Sequence, residues 1–212
     1  GAAYPLAAAV GVRQVGEDPF GTIINNVMET AGLLRYLAKS STPTLLASTS
    51  EVYGVGHGRP FQETDDSVYG PTTVARWSYA HSKAVDEHLA FALEQELPSV
   101  VVRFFNTVGP RQRGDWGMVL PRFVQAALTN APIEVHGDGN QRRCFADVRD
   151  IVDSLPRLLR SPDARGLPVN LGHDESITIL QLAELVRDVL NSESSIQVLP
   201  YTEVWGRGFQ DL

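Results

Sequence analysis

Two short strand-like runs, each placed after a helical pattern, constrain what this chain can fold into more than any other feature. Thr44-Leu45-Leu46-Ala47-Ser48-Thr49 follows a pattern over residues 17–39 in which Phe20, Ile23, Ile24, Val27, Leu33, Leu34 and Leu37 recur at near-helical spacing. The β-branched run over residues 99–105 follows a second helical pattern over 72–96, which Pro98 ends. Asp18-Pro19 suits the start of the first helix, because a proline at the first helical position gives up no hydrogen bond. Strands that alternate with helices build a parallel sheet with the helices as crossovers. At 212 residues and 43% hydrophobic, the chain can bury a sizeable core.

The chemistry-bearing residues stand at the ends of these elements. Ser48-Thr49-Ser50-Glu51-Val52-Tyr53-Gly54 puts hydroxyls and a carboxylate at the end of the first strand. Tyr79-Ala80-His81-Ser82-Lys83 puts a phenol and an ammonium four residues apart, on one helix face. A tyrosine titrates near ~10 and is a poor base at neutral pH. An ammonium held close to the phenol favours the phenolate, and a general base works best with a pKa near the working pH. The expectation is therefore a site that takes a proton from a hydroxyl, with Lys83 against Tyr79. Between the two pieces, residues 54–71 read as a long loop rich in Gly, Asp and Pro, of the length that often carries function.

Four motifs stand in one order: Ser48 to Gly54, Tyr79 to Lys83, Arg103-Phe104-Phe105-Asn106-Thr107-Val108-Gly109-Pro110, and Gly137-Asp138-Gly139-Asn140-Gln141-Arg142-Arg143-Cys144-Phe145. In that order the chain resembles the extended short-chain dehydrogenases/reductases, and within them the NAD-dependent nucleotide-sugar epimerase/dehydratase family. The resemblance covers nearly the whole chain. It implies an α/β fold: a Rossmann-like doubly wound parallel sheet over residues 1–110, with a smaller, mainly substrate-binding lobe over 111–212. In the second half, helices are expected over 119–128, 150–159 and 179–190, and strands over 133–137, 142–148, 169–172 and 196–199. The fold's glycine-rich phosphate turn after a first strand is not in the sequence. Aligned with the family, Leu6-Ala7-Ala8 falls at the end of the fourth strand. Trp205-Gly206-Arg207-Gly208-Phe209-Gln210-Asp211 resembles the segment just before a basic motif of the family. An internal piece of a longer enzyme is the expectation.

Composition excludes some classes. The net charge of −7 argues against general nucleic-acid or acidic-membrane binding, and no apolar run approaches the ~20 residues of a membrane helix. The start reads as a strand and turn, since it lacks the basic leader of a signal peptide. Cys144 is the only cysteine, which fits a reducing cytoplasm and a packed thiol. The five histidines show no metal-ligand spacing, so no metal is assigned. Residues 103–149 carry seven arginines and four acids, and a diphosphate would find its positive charge there.

The resemblance also distributes roles. It implies Thr49, Ser50, Glu51, Tyr79 and Lys83 as catalytic residues, and Ala7, Ala8, Asn26, Ser48, Tyr79 and Lys83 on the NAD side. It implies Asn106, Arg143 and Phe209 on the nucleotide-sugar, and a homodimer. The shared first step is oxidation at the sugar C4, with Tyr79 as base. Ser50-Glu51 resembles the UDP-glucuronate decarboxylases, whereas 4,6-dehydratases carry Asp-Glu there. A UDP-glucose 4-epimerase is the alternative, since relatives of that kind also carry Ser-Glu. An inactive module that only binds a nucleotide-sugar or a partner is the reading from another class.

Overall fold

The computed structural model describes residues 1–56, 58–115 and 117–204. In chain order the elements are α1 (Val12–Glu17), α2 (Pro19–Ala38), β1 (Thr44–Thr49), α3 (Trp77–Ala92), β2 (Ser99–Phe104), β3 (Asn106–Val108), α4 (Val119–Leu128) and β4 (Ile133–His136). They continue with β5 (Arg142–Asp147), α5 (Val148–Arg160), β6 (Pro168–Leu171), β7 (Ser176–Thr178), α6 (Ile179–Val189), β8 (Ile196–Leu199) and α7 (Tyr201–Val204). Single 3-10 turns cover Ser50–Tyr53 and Pro162–Ala164.

The first sheet runs β1-β2-β6, all parallel. Residues 3–5 lie along the other edge of β1, where Ala3 and Pro5 accept from the amides of Leu45 and Ala47. Successive side chains of a strand point to opposite faces, and here both faces are covered. Leu45, Val100 and Val102 pack with Ile151, Leu155 and Leu159 of α5. Leu46 and Val101 pack with Leu34 and Leu37 of α2 and Ala90 of α3. The expected parallel sheet with crossover helices is thus a three-layer α/β sandwich.

The second half holds two small sheets, β3-β5-β7 and β4-β8. Its core joins Phe123 and Ala127 of α4 to Ile133, Val135 and the inner face of α6. A capping box opens α6: Thr178 accepts from the Gln181 amide while the Gln181 side chain accepts from the Thr178 amide. The boundary expected at residue 110 is crossed, because α5 and β6 return to the first sheet.

One packing expectation, that of Cys144, is corrected, and α2 is buried along one face only. On α2 the buried residues are Thr22, Asn26, Leu34 and Leu37, while Phe20, Ile23, Ile24 and Leu33 are exposed. The helix has a second apolar face, turned away from the sheet. Cys144 is half-buried on β5 and outside the core clusters, and that partial burial pushes its thiol pKa up.

Candidate active site

The site is built on the C-terminal ends of β1 and β2, where parallel sheets of this kind bind ligands. Thr49 pairs with Phe104 across the two strands, and Asn106 follows two residues further on. Thr49 caps the 3-10 turn, its Oγ1 accepting from the Glu51 amide at 3.2 Å. The turn swings Glu51 toward the start of α3, where its Oε2 accepts from Arg76 Nη1 at 2.6 Å. Gly54 then takes φ +71, and any Cβ there would run into the Val68 carbonyl.

Tyr79, in the first turn of α3, is buried. Burial raises its phenol pKa most, the Glu51 charge adds to this and Asp86 adds further, while the Thr49 hydroxyl and Arg76 oppose the rise. Thr49, Glu51, Arg76 and Tyr79 therefore share one electrostatic environment. Lys83, expected against the phenol, has its Nζ donating to Asp86 Oδ2 at 2.9 Å, with both side chains buried. Burial raises the Asp86 pKa, against the pull of Lys83.

Asn26 joins three parts. Its Oδ1 accepts from the Ala9 amide at 2.8 Å, and its Nδ2 donates to Ala9 O and to Ser82 Oγ, each at 3.1 Å. The loop carrying Ala7 and Ala8, both exposed, is so fixed to the residue beside Lys83. Ser48 is turned inward, its Oγ donating to Glu87 Oε1 at 2.5 Å. Glu87 also holds Arg103 in a buried pair, at 2.7 Å from Nη2 and 3.0 Å from Nε. Burial works against the Arg103 charge, yet Glu87 and Tyr53 raise its pKa on balance.

The long loop is docked over this network. Tyr53 stacks on Phe61 at 4.5 Å, and Arg103 lies over the Tyr53 ring at 4.7 Å. Tyr53 donates to Asn170 Oδ1 at 2.7 Å, and Arg103 Nη1 donates to Glu63 O at 3.3 Å. At the loop's other end, Tyr69 donates to Val52 O at 2.7 Å and packs edge-on against His81.

On the far strands, Asn106 Nδ2 donates to Cys144 O at 3.0 Å, which puts Asn106 and Arg143 on adjacent strands of one sheet. The arginine-rich stretch is not a patch of bare charge. Arg103, Arg113 and Arg149 are in ion pairs, and Arg142 donates to Ser176. Phe209 lies outside the described residues. Sequence reasoning missed Arg76, Asp86 and Glu87. Arg103 held a signal for Glu87, since a charge inside a buried strand requires a partner.

A family model described as "NAD dependent epimerase/dehydratase family" matches residues 1–172. Over 212 residues the chain is 37% identical to the UDP-N-acetyl-alpha-D-glucosaminuronate decarboxylase of Bacillus cytotoxicus, covering 99% of this chain and 65% of that protein. It is 36% identical over 199 residues to UDP-glucuronic acid decarboxylase 1 of Danio rerio, covering 93% of this chain and 47% of that protein. Its fold matches the crystal structure of UDP-glucuronic acid 4-epimerase from Bacillus cereus, in complex with UDP-glucuronic acid and NAD, with a TM-score of 0.81 and 28% identity. That match covers 92% of this chain and 61% of the other. The chain thus spans less than two thirds of the length of these relatives.

Proposed function

This chain belongs to the NAD-dependent epimerase/dehydratase family, and from that premise we propose that it is the catalytic portion of a UDP-hexuronate decarboxylase. The observation that carries the reading is Glu51. A carboxylate directly after the Ser50 hydroxyl stands in ion pair with Arg76, and its charge acts on the Tyr79 phenol.

The residues present fit a dinucleotide. Ala7 and Ala8 have small, exposed side chains that leave the backbone approachable, and Asn26 fixes their loop beside α3. Lys83 is buried and uses one of its three donors on Asp86. Ala7, Ala8, Tyr79 and Lys83 would hold NAD, with Asn26 and Ser48 supporting them from behind. When bound, NAD supplies the oxidation and later re-reduction of the sugar C4.

The chain's own groups do the rest. Tyr79 removes the proton of the 4-hydroxyl and returns it at the end, with Thr49 orienting that hydroxyl. A 4-keto hexuronate is a β-keto acid, so its C5–carboxylate bond breaks with release of carbon dioxide. Ser50 and Glu51 orient the departing carboxylate and guide protonation at C5. Asn106 and Arg143 bind the diphosphate side. The likeness to a UDP-glucuronic acid 4-epimerase favours a second reading, in which the 4-keto sugar turns over and is reduced from its other face.

The exposed apolar stripe of α2, with Phe20, Ile24 and Met28 at four-residue spacing, supports a homodimer in which a second copy covers it. The single free cysteine supports a cytoplasmic setting. No helix among the described residues is long and apolar enough to cross a membrane.

A product assay tests the reading. The enzyme with its remaining segments in place is given NAD and, in turn, UDP-glucuronate, its 2-acetamido counterpart and UDP-glucose. Carbon dioxide and a UDP-pentose are expected from a uronate. Conversion of a uronate to its 4-epimer without carbon dioxide would replace the first reading by the second.

A further inference from the structure

We infer that Arg76 is the residue by which this site recognises a carboxylate on its sugar, and so selects hexuronates over neutral hexoses. The inference rests on the nucleotide-sugar reading above, but on neither of its two outcomes, since a decarboxylase and a uronate 4-epimerase both need it.

Arg76 sits at the N-cap of α3, three residues before Tyr79. A cation is disfavoured at the positive end of a helix, and its side chain makes no capping hydrogen bond there. The guanidinium is nonetheless nine-tenths buried, with a side-chain exposure of 10%. Its one hydrogen bond is from Nη1 to Glu51 Oε2, and Nε is buried with no hydrogen-bond partner among the described residues. A guanidinium offers five donors in a fork that matches a carboxylate, so this one is under-used where it stands. A buried cation in a disfavoured place, with an orphaned donor, beside the base and the carboxylate of the site, is the arrangement of a group awaiting an anion.

The substrate's chemistry supplies that anion. A hexuronate brings its C6 carboxylate to the part of the site where Glu51 already stands, and two carboxylates a few ångströms apart repel each other. A guanidinium shared between them offsets the repulsion and fixes both. A neutral hexose brings a hydroxymethyl group instead, which gains little from Arg76 and leaves the Arg76–Glu51 pair as it is. The helix N-terminus adds a weaker attraction of the same sign. A role confined to holding Glu51 would give no preference for a charged sugar.

The test is binding, read by calorimetry on the NAD-loaded enzyme with its remaining segments in place. UDP-glucuronate and UDP-glucose are compared on the wild type, Arg76→Gln, Arg76→Lys and Glu51→Gln. Loss of a charge-assisted contact should weaken UDP-glucuronate by about 10- to 100-fold in Arg76→Gln. UDP-glucose should change by less than about 2-fold, and Arg76→Lys should recover part of the loss. Glu51→Gln removes the competing carboxylate while leaving Arg76 in place, so UDP-glucuronate should bind several-fold more tightly there. That last arm keeps the inference testable if the Arg76 variants fail to fold. Equal weakening of both ligands in Arg76→Gln, or unchanged or weaker binding of UDP-glucuronate in Glu51→Gln, overturns it. So does a wild type that does not distinguish the two sugars. A wild type that prefers the uronate but releases no carbon dioxide upholds the inference and overturns only the decarboxylase reading.

Discussion

Lys83 donates to Asp86 Oδ2 at 2.9 Å, three residues along the same helix, and both side chains are buried. The pair sets the charge balance behind Tyr79. Asp86 raises the phenol pKa, so Asp86→Asn should lower it and move the rising limb of kcat against pH to lower pH. A tyrosine whose folded pKa is raised contributes stability that is complete below about pH 10 and lost as pH rises through the folded value. In Asp86→Asn that alkaline loss should begin at the same pH, be smaller and end at lower pH. Leaving Lys83 buried and unpaired should cost about 3 kcal/mol at neutral pH. Pairing the pH–rate profile with urea melts checks both, and an unmoved limb would remove Asp86 from the electrostatics of the base.

Asn26→Leu should separate two functions of one side chain. The substitution keeps bulk but removes the contacts to Ala9 N, Ala9 O and Ser82 Oγ. Unpaired buried groups should cost about 1–3 kcal/mol of stability. NAD affinity should fall further than nucleotide-sugar affinity, because the released loop carries Ala7 and Ala8. Titration of each ligand alone checks the difference.

Glu87→Gln should destabilise by about 3 kcal/mol, since Arg103 would stay buried without its counter-charge. Arg103 also holds the Glu63 carbonyl and lies over Tyr53. Hydrogen exchange should therefore quicken in residues 61–69 before it does in β1. If the double variant Glu87→Leu/Arg103→Met restores stability without restoring protection of that loop, the pair's role is to seat the loop.

The dimer proposal is tested by Ile24→Glu. Ile24 is exposed on α2, so the substitution should leave the monomer's melting almost unchanged while sedimentation shows loss of the larger species. Unaltered assembly would move the interface elsewhere.

What was legible follows from how local each signal is. The centres of β1 and β2, Leu45-Leu46 and Val100-Val101-Val102, are apolar on both faces, so strand, burial and parallel pairing could all be read from them. Helix periodicity on α2 reports an apolar face but not what covers it. Phe20, Ile23, Ile24 and Leu33 obey the period and yet face away from the sheet, while Asn26, a polar residue, faces in. The Tyr79–Lys83 spacing located both residues on α3 but not the partner of the ammonium, because a carboxylate three residues on competes equally well for it. Strands β3 and β7 have three residues each, too few to show a period. Arg76 gives no pattern at all in sequence; its meaning comes from a turn at Thr49 that folds Glu51 back onto it.

Tyr79→Phe and Glu51→Gln should fail at different steps, and the difference tests the division of labour in the site. Removing the phenolic oxygen deletes the base for the 4-hydroxyl, so the loss should exceed the ~10²–10⁴-fold that general-base catalysis contributes, at nearly unchanged substrate affinity. No absorbance of reduced nicotinamide should appear in a single turnover. Glu51→Gln keeps Tyr79 and takes away a negative charge that raises its pKa, so C4 oxidation should proceed, and at lower pH than in the wild type. The loss should fall on carbon dioxide release. Reduced nicotinamide and a 4-keto uronate should then accumulate together within one turnover. If Glu51→Gln shows neither accumulation nor a shift in the oxidation limb, Glu51 acts before the keto sugar forms, and the later steps belong to Ser50 and the groups around it.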